Sequence, residues 1–305
     1  MREGEDMKQN KKNTLARQQV PFHILWLPFL ILFFIFTILP LLSSIALSFT
    51  DFDAVSFPKF VGLENYFRMF TQDDVFPYAI KNTIMFAFFI GPVGFAFSFF
   101  LAWIINEFGN GMRSFLSFLF YSPALAGNAY FIWQVAFSGD SYGYANSILL
   151  SIGAINDPIQ WFRDDRYAFV LIVLIQLWLS VGVSFLANIA GLQNVDVEMY
   201  EAGAIDGIKT RWHELWYITL PSMKSILLFG IVMQIQAAFS VSAIPMALSG
   251  YPSVNHSVDT LLSHIQDVGT ERFEMGYASA LSVILFLVII ITKKILTKFI
   301  ESVGR

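Results

Sequence analysis

The sequence predicts an all-α membrane protein with six transmembrane helices, and three observations indicate this class. Of the 305 residues, 56% are hydrophobic and 14% are charged, with a mean hydropathy of +0.59. A soluble domain carries about 25% charged residues, so most of this surface must face a medium other than water. Six stretches approach or exceed the roughly 20 apolar residues that a helix needs to cross a bilayer.

The six predicted spans leave a polar N-terminal tail, residues 1–20, ahead of a membrane domain that covers residues 21–300. The first span is too long for the apolar core of about 7–15 residues in a cleaved signal peptide, so it is interpreted as a retained anchor. Pro28, Pro40 and Pro92 are expected to kink their spans, which a membrane bundle tolerates. The spans cover residues 22–49, 78–105, 115–137, 168–192, 226–248 and 275–300.

The distribution of Lys and Arg predicts that both termini lie in the cytoplasm. In that orientation 13 of the 19 basic residues lie on the cytoplasmic side, as the positive-inside rule requires. The remaining six lie in or beside the extracytoplasmic connections: Lys59, Arg68, Lys81, Arg163, Arg166 and Arg272. The longest cytoplasmic connection then follows the fourth span.

Composition and motifs exclude several functions. A net charge of -4 argues against a nucleic-acid binder, and a chain without cysteine has no thiol nucleophile or Cys-ligated metal. No catalytic or metal-ligating residue is predicted, because the acids and histidines of the extracytoplasmic connections match no triad or metal template. These residues are Asp140, Asp157, Asp164, Asp165, His256 and His264.

The centres of the six spans contain no Asp, Glu, Lys or Arg. An ion-driven carrier usually keeps an ionisable group inside the membrane, and the chain also lacks the phosphate-binding G-x-x-x-x-G-K-[ST] segment. Uphill transport by this protein would therefore need energy from another subunit. An ion-coupled secondary solute carrier is the alternative hypothesis.

Neutral polar residues cluster in the fourth and fifth spans, and two interpretations of them stay open. They could form interhelical hydrogen bonds, commonly worth about 0.6 kcal/mol each in membranes. They could also line a path for a neutral polyhydroxylated solute, which would bind to amides, hydroxyls and aromatic faces. The candidates for this path are Gln176, Trp178, Ser184, Asn188, Gln234, Gln236 and Ser240.

The cytoplasmic connection between these two spans is predicted to hold a short amphipathic helix. Asp196 can cap its first turn, and the Asp206-Gly207 pair indicates a turn after it. Val197, Tyr200, Ala204 and Ile208 share one predicted face at three- and four-residue spacing. A second piece places Trp212, Leu215 and Trp216 on a common face. Such a helix could lie on lipid headgroups or insert into a groove of a cytoplasmic partner.

Several segments resemble those of known transport proteins. The pattern Glu201-Ala202-Gly203…Asp206-Gly207…Ile218-Thr219-Leu220-Pro221 resembles the EAA loop of ABC-importer permeases, with Gly203 in place of the usual second alanine. Residues 60–66, Asn82-Thr83, residues 190–193 and residues 276–280 extend the resemblance to the sugar-permease branch, on the side of the maltose-type first permease.

The resemblance implies an ABC type I importer transmembrane-domain fold and a permease, without enzymatic activity or cofactor of its own, in a bacterial plasma (inner) membrane. Its implied partners are a second permease, two ATP-binding subunits that use ATP and Mg, an extracytoplasmic solute-binding protein, and a sugar or oligosaccharide. The connection, residues 194–221, would couple to the ATPase. The implied coupling residues are Glu201, Ala202, Gly203, Ala204, Asp206 and Gly207.

Overall fold

The structure is a computed structural model that describes residues 26–303, with side chains to residue 298 except residue 296. The described chain is helical and contains no β-strand beyond an isolated antiparallel bridge between Thr50 and Phe60. The predicted tail, residues 1–20, and the first residues of the predicted first span lie outside the described residues.

Thirteen helical elements are labelled α1 to α13 in chain order. Elements that contain a π-helical turn are treated as one. They are α1 Trp26–Leu47, α2 Glu64–Thr71, α3 Phe76–Asn106, α4 Asn110–Leu125, α5 Tyr130–Ala136, α6 Tyr144–Ser151, α7 Asp165–Leu179, α8 Val183–Gln193, α9 Val197–Ile205, α10 211–222, α11 Lys224–Ser249, α12 Leu261–Gln266 and α13 Met275–Val303.

Four of these helices, α1, α3, α11 and α13, are long and apolar enough to cross a membrane. α11 has a short break at residues 240–242. The third and fourth predicted spans are broken helix pairs. α4 and α5 meet at 83°, and α7 and α8 meet at 44°. The breaks lie at residues that disfavour helix, Pro123 and Gly127 in the first pair and Gly182 in the second. Counting each pair as one span gives the six that the sequence predicts.

Two of the three predicted kink sites, Pro40 and Pro92, lie beside or within π-helical turns, whereas Pro28 lies in the regular α-helical start of α1. In α3 the π turn Phe89–Val93 contains Pro92, and in α1 the π turn Phe34–Ile38 comes just before Pro40. A proline removes one backbone donor and crowds the preceding turn, and a wider turn accommodates the displaced carbonyl groups. The predicted kinks at Pro40 and Pro92 are therefore local changes of helix type within continuous helices.

The bundle has two hydrophobic cores at opposite ends of α3, which is about 45 Å long at 1.5 Å per residue. The second half of α3 packs with α8, α10 and the start of α11. We call this the loop end, because residues 194–221 lie there. The first half of α3 packs with α7, the second half of α11, α12 and the start of α13. We call this the far end.

Polar side chains join distant segments at the far end. The Asn82 amide donates to the carbonyl oxygens of His256 and Asp259 at 2.7 and 3.0 Å. The Thr83 hydroxyl accepts a hydrogen bond from the Leu261 backbone N–H at 2.8 Å. Both side chains are buried, so α3 fixes the segment before α12 through hydrogen bonds that are shielded from solvent.

Asp73, just before α3, is the centre of a second far-end network. Its carboxylate accepts hydrogen bonds from the Tyr277 hydroxyl and from Nε2 of the buried His264, the latter at 2.8 Å. The Tyr251 hydroxyl lies 2.8 Å from Nδ1 of the same ring. Burial alone would raise the pKa of Asp73, but hydrogen bonds from His264, Tyr277 and the Phe76 N–H hold this pKa well below its usual range.

Candidate functional site: the connection between α8 and α11

The short helix α9 has a defined start and end. Oδ1 of Asp196 accepts a hydrogen bond from the Glu198 N–H at 3.0 Å and caps the first turn. Gly207 follows the helix with a φ of +95°. The Ile208 N–H donates to the Gly203 carbonyl at 2.9 Å, and the Gly207 N–H donates to the Ala204 carbonyl at 3.3 Å. This is a Schellman end, which favours glycine at position 207.

One side of α9 packs against α10 at close range. A Cβ atom built on the buried Gly203 would lie 2.6 Å from Cδ1 of Ile218. The Tyr200 hydroxyl lies 2.9 Å from Oγ1 of Thr219. The backbone of α9 at Gly203 therefore lies directly against the Ile218 side chain of α10, and a larger residue at position 203 would disturb this contact.

The predicted amphipathic faces are only partly right. Tyr200 and Ile208 pack against the loop-end core, but Val197 is 66% exposed and Ala204 is exposed. The contact of α9 is centred on Gly203, which carries no apolar signal. In α10, Leu215 is buried while Trp212 and Trp216 are exposed, so the predicted common face is not the packed face of this helix.

The opposite side of α9 is exposed and packs against none of the described residues. Ile205 is 87% exposed. Five of the six residues predicted to couple to the ATPase are exposed, and only Gly203 is buried. The exposed residues are Glu201, Ala202, Ala204, Asp206 and Gly207. We call the side of α9 that carries Glu201, Ala202 and Ile205 its outer face, and it combines a carboxylate with small and apolar side chains.

Contacts from α10 attach the same loop to the end of α3. The Arg211 guanidinium pairs with Glu107 at 2.8 Å and with Glu214 at 2.7 Å. The Trp212 ring lies 5.6 Å from the ring of Trp103, measured between centroids. Arg211 and Glu107 were not among the sequence candidates, because 104 positions separate them and no local pattern links them.

A cavity of about 530 Å³ lies between α9, α10 and the end of α3. Its lining includes Asn106, Glu107, Tyr200, Arg211 and Thr219. The loop is therefore joined to α3 at a few points with open space between them, and it is not packed continuously against that helix.

The predicted solute-path residues fall into two groups. Ser184, Asn188 and Gln234 are buried between helices. The amide nitrogen of Gln234 donates to the Ile90 carbonyl at 2.9 Å. A Cβ atom built on Gly230 would lie 3.2 Å from Oγ of Ser184 and 3.7 Å from Oδ1 of Asn188. Gln234 therefore makes an interhelical polar contact, as one of the two interpretations requires. Oγ of Ser184 and both polar atoms of the Asn188 amide are buried without a hydrogen-bond partner among the described residues.

The other group is open to the surroundings of the chain. Gln236 and Ser240 are exposed on α11, and the Ser240 hydroxyl donates to the Gln236 carbonyl at 2.8 Å. Gln176 and Trp178 are half-buried, and the Trp178 ring meets that of Trp133 edge to face at 5.6 Å. Only this group can contact a solute that passes along the outside of this subunit.

Comparison with known families identifies the chain. A model of the family "binding-protein-dependent transport system inner membrane component" matches residues 94–302, a range that contains the whole α8–α11 connection. The chain belongs to this family. It is therefore a membrane permease component of a binding-protein-dependent transport system, as the EAA-like loop predicts.

Several curated relatives are similar to the permease over most of its length. The probable ABC transporter permease protein YesP of Bacillus subtilis is 30% identical over 294 residues, which cover 94% of this chain and 93% of YesP. The arabinooligosaccharides transport system permease protein AraP of the same species is 30% identical, covering 90% of this chain and 87% of AraP. The lactose transport system permease protein LacF of Rhizobium radiobacter is 30% identical over 66% of this chain and 67% of LacF.

A solved structure supports the fold. The permease matches a chain of a bacterial ABC transporter involved in the import of the acidic polysaccharide alginate, with a TM-score of 0.78 and 22% identity over 96% of this chain and 99% of that chain. The same transporter has been crystallised with a periplasmic protein bound to an alginate pentasaccharide. The predicted all-α fold of an ABC-importer transmembrane domain is confirmed.

Proposed function

We propose that the permease takes up a carbohydrate, most specifically an oligosaccharide, as one half of a translocation path. The arabinooligosaccharide and lactose assignments of the relatives support this substrate class. The exposed amide of Gln236 and hydroxyl of Ser240, with the aromatic face of Trp178, supply the chemistry that sugar hydroxyls and ring faces need. In this proposal the path lies between this chain and a second permease.

The proposal assigns energy coupling to the outer face of α9. This face would dock into a cleft of an ATP-binding subunit, which supplies ATP and Mg, while the Gly203 side holds the helix to α10. One observation supports this assignment: the two sides of the nine-residue helix α9 differ in exposure. The Gly203 side is packed against α10, and the outer face is exposed. Driving a two-state gate from 1:99 to 99:1 takes about 5.5 kcal/mol, so α9 must be held firmly to transmit it.

The same proposal fixes orientation and partners. The loop end faces the cytoplasm with both termini, in keeping with the bias of Lys and Arg. The far end then faces outward and receives a solute-binding protein. Two ATP-binding subunits and a second permease complete the assembly.

A charge reversal on α9 tests the coupling assignment. Glu201→Lys is expected to abolish solute-stimulated ATP hydrolysis in the reconstituted complex, because it replaces a carboxylate at the docking face by a cation. Gly207→Pro should do the same, because proline cannot adopt the φ of +95° at this position. Glu201→Asp, which keeps a carboxylate at the same exposed position, is the control. Full stimulation in both loop variants would refute the coupling role.

The substrate path needs a separate measurement. Gln236→Ala should lower the rate of oligosaccharide uptake while the melting temperature stays unchanged, because the side chain is exposed and Ala suits a helix. The control is the equally exposed Ala237→Gln, one position further along α11. Uptake that is unaffected by Gln236→Ala across a panel of mono- and oligosaccharides would remove this residue from the path.

The alternative, an ion-coupled secondary carrier, makes the opposite prediction for the isolated chain. Purified permease without partners would then accumulate solute in vesicles on an ion gradient alone. Membership in a binding-protein-dependent family counts against this outcome, as does the lack of ionisable residues at the span centres.

A further inference from the structure

The short helix α2, between the first two spans, has an apolar side that the described part of the chain, residues 26–303, leaves exposed. Asn65 and Met69 are buried on one side of the helix. Leu63, at the helix start, Phe67 and Phe70 are 68%, 63% and 67% exposed, and their spacing of four and three residues places them on a common face. We call these three residues the α2 apolar face.

The helix is fixed at the point where the first span ends. The Asn65 amide donates to the carbonyl oxygens of Ser48 and Thr50 at 2.9 and 2.8 Å. The Tyr66 hydroxyl donates to Oγ of Ser48 at 2.8 Å. α1 ends at Leu47, so these bonds hold α2 at the level where apolar surface gives way to polar surface.

The surface of α1 continues the α2 apolar face toward the membrane. The most apolar stretch of α1 has no buried residue, and its side chains are exposed along the helix. Two further aromatic side chains, Phe57 and Phe60, are exposed in the segment that joins α1 to α2. Apolar side chains are therefore exposed on the first span, in this segment and on α2, and the segment also carries the exposed charges of Asp51, Asp53 and Lys59.

Charge is kept away from the α2 apolar face. The Arg68 guanidinium pairs with Glu274 and lies 4.3 Å from the centre of the Tyr277 ring, on the side of the bundle. The exposed polar residues, Glu64 and Thr71, flank the apolar face. A helix with one side on protein, one apolar side and one polar side has the arrangement of an interfacial helix.

We propose that α2 lies in the membrane surface at the far end of the bundle, with the α2 apolar face inserted at the boundary between headgroups and acyl chains. Lipid fits better than a soluble partner, because the face continues the apolar surface of a membrane span and consists of Leu and Phe without a hydrogen-bonding group. Aromatic residues are enriched at this depth, and interfacial helices bury their apolar side about 5–10 Å deep. α2 then fixes the height of the bundle in the bilayer.

The absence of native cysteine makes this proposal directly testable. Single variants Phe67→Cys and Phe70→Cys are labelled with a nitroxide in the complete transporter in lipid nanodiscs. Collision rates are measured with oxygen, which concentrates in lipid, and with a water-soluble nickel chelate. Glu64→Cys, on the polar edge of α2, and Tyr142→Cys, a 93% exposed site in another far-end connection, are the controls.

The oxygen-to-nickel ratio is expected to be several-fold higher at positions 67 and 70 than at 64 and 142. A bimane label at position 67 should also be quenched by lipids brominated near the headgroup. A water-like ratio at positions 67 and 70 would overturn the proposal in favour of a soluble partner. Protection from both reagents, without quenching, would overturn it in favour of a neighbouring protein subunit.

Discussion

The two ends of the bundle are held together by different interactions. At the far end, buried side chains bind backbone groups that are more than 170 positions away, as Asn82 does with residues 256 and 259. At the loop end, α10 packs into the hydrophobic core through Leu215 and Ile218. The further contacts of α9 and α10 are the close approach at Gly203, one hydroxyl pair, one half-exposed ion pair and the contact between the Trp212 and Trp103 rings. The far end is thus held by buried hydrogen bonds between distant segments, whereas the contacts of α9 at the loop end are few and lie near the surface.

This difference means that mutations at the two ends should be separable by experiment. Far-end substitutions should lower stability and leave the coupling of correctly folded molecules intact. Loop-end substitutions should lower coupling and leave stability nearly unchanged. Each of the following variants tests one side of that contrast.

The largest effect is expected from Gly203→Val. Its branched side chain would overlap Cδ1 of Ile218. Because α9 is a short surface helix, it can shift away from α10, so the cost of overpacking, about 1–3 kcal/mol, falls on the docking of α9 and not on the unfolding of the bundle. If α9 shifts to relieve the overlap, solute-stimulated ATP hydrolysis should fall about tenfold or more, with little change in melting temperature. The control is Gly111→Val, because a Cβ at Gly111 meets nothing within 4 Å. Normal stimulation in Gly203→Val would show that α9 needs no close packing.

At the far end, Asp73→Asn is expected to destabilise the protein by about 1–3 kcal/mol, the usual cost of breaking a buried, charge-assisted hydrogen-bond network. Thermal unfolding in detergent measures this loss, and the exposed neighbour Asp74→Asn is the control. Stimulated ATP hydrolysis per folded transporter should be retained. Loss of coupling without loss of stability would contradict the proposed division between the ends.

The depressed pKa of Asp73 also gives a pH dependence with a definite sign. Its stabilising effect is complete above the unfolded pKa of about 3.9 and decreases as the pH falls toward the lower folded value. The stability difference between the wild type and Asp73→Asn should therefore shrink as the pH falls below about 4. A difference that grew on acidification would mean that the carboxyl is protonated in the folded protein.

A smaller effect, about 1 kcal/mol, is expected for Tyr200→Phe, which removes the hydroxyl that meets Thr219. Stimulated ATP hydrolysis should fall a few-fold. Thr219→Val should behave alike, and the double variant should be no worse than either single variant if the two hydroxyls act only on each other. Additive losses would show that the pair is not the relevant contact.

The smallest effect is expected for the ion pair between Arg211 and Glu107, because exposed pairs contribute about 0.2–1 kcal/mol. Glu107→Arg should slightly weaken stimulated ATP hydrolysis, and adding Arg211→Glu should partly restore it. High salt should lower the stimulated ATP hydrolysis of the wild type toward the rate of the Glu107→Arg variant. Absence of any restoration would indicate that α10 is held to α3 by the Trp212 contact alone.

Much of the fold could be predicted from the sequence, because runs of apolar residues identify membrane spans without knowledge of tertiary contacts. The number of spans and the capped helix after Asp196 follow from such local signals. The breaks in the third and fourth spans were not predicted from the sequence, although Pro123, Gly127 and Gly182 lie at or beside them. Gly91 and Pro92 also disfavour a helix, but α3 continues through them without a break. Tertiary packing therefore determines at which of these residues a helix bends.

The candidate site was predictable in its residues but not in its contacts. The EAA-like pattern singled out Gly203 and Gly207, and local chemistry explains Gly207 through its positive φ. The role of Gly203 depends on Ile218 and that of Arg211 on Glu107. The sequence does not indicate which polar residues of the spans are buried, as Asn188 is, and which are exposed, as Gln236 is. Buried and exposed polar residues occur at similar spacing along these spans.

The bend at Gly182 divides one span between the two ends of the bundle. α7 contributes Leu171, Ile172 and Ile175 to the far-end core, and α8 contributes Phe185, Ile189 and Leu192 to the loop-end core. α8 leads directly into the capped start of α9. If α9 docks to an ATP-binding subunit as proposed, a force on α9 is transmitted to α8, and the bend at Gly182 separates α8 from the hydrogen bonds of the far end.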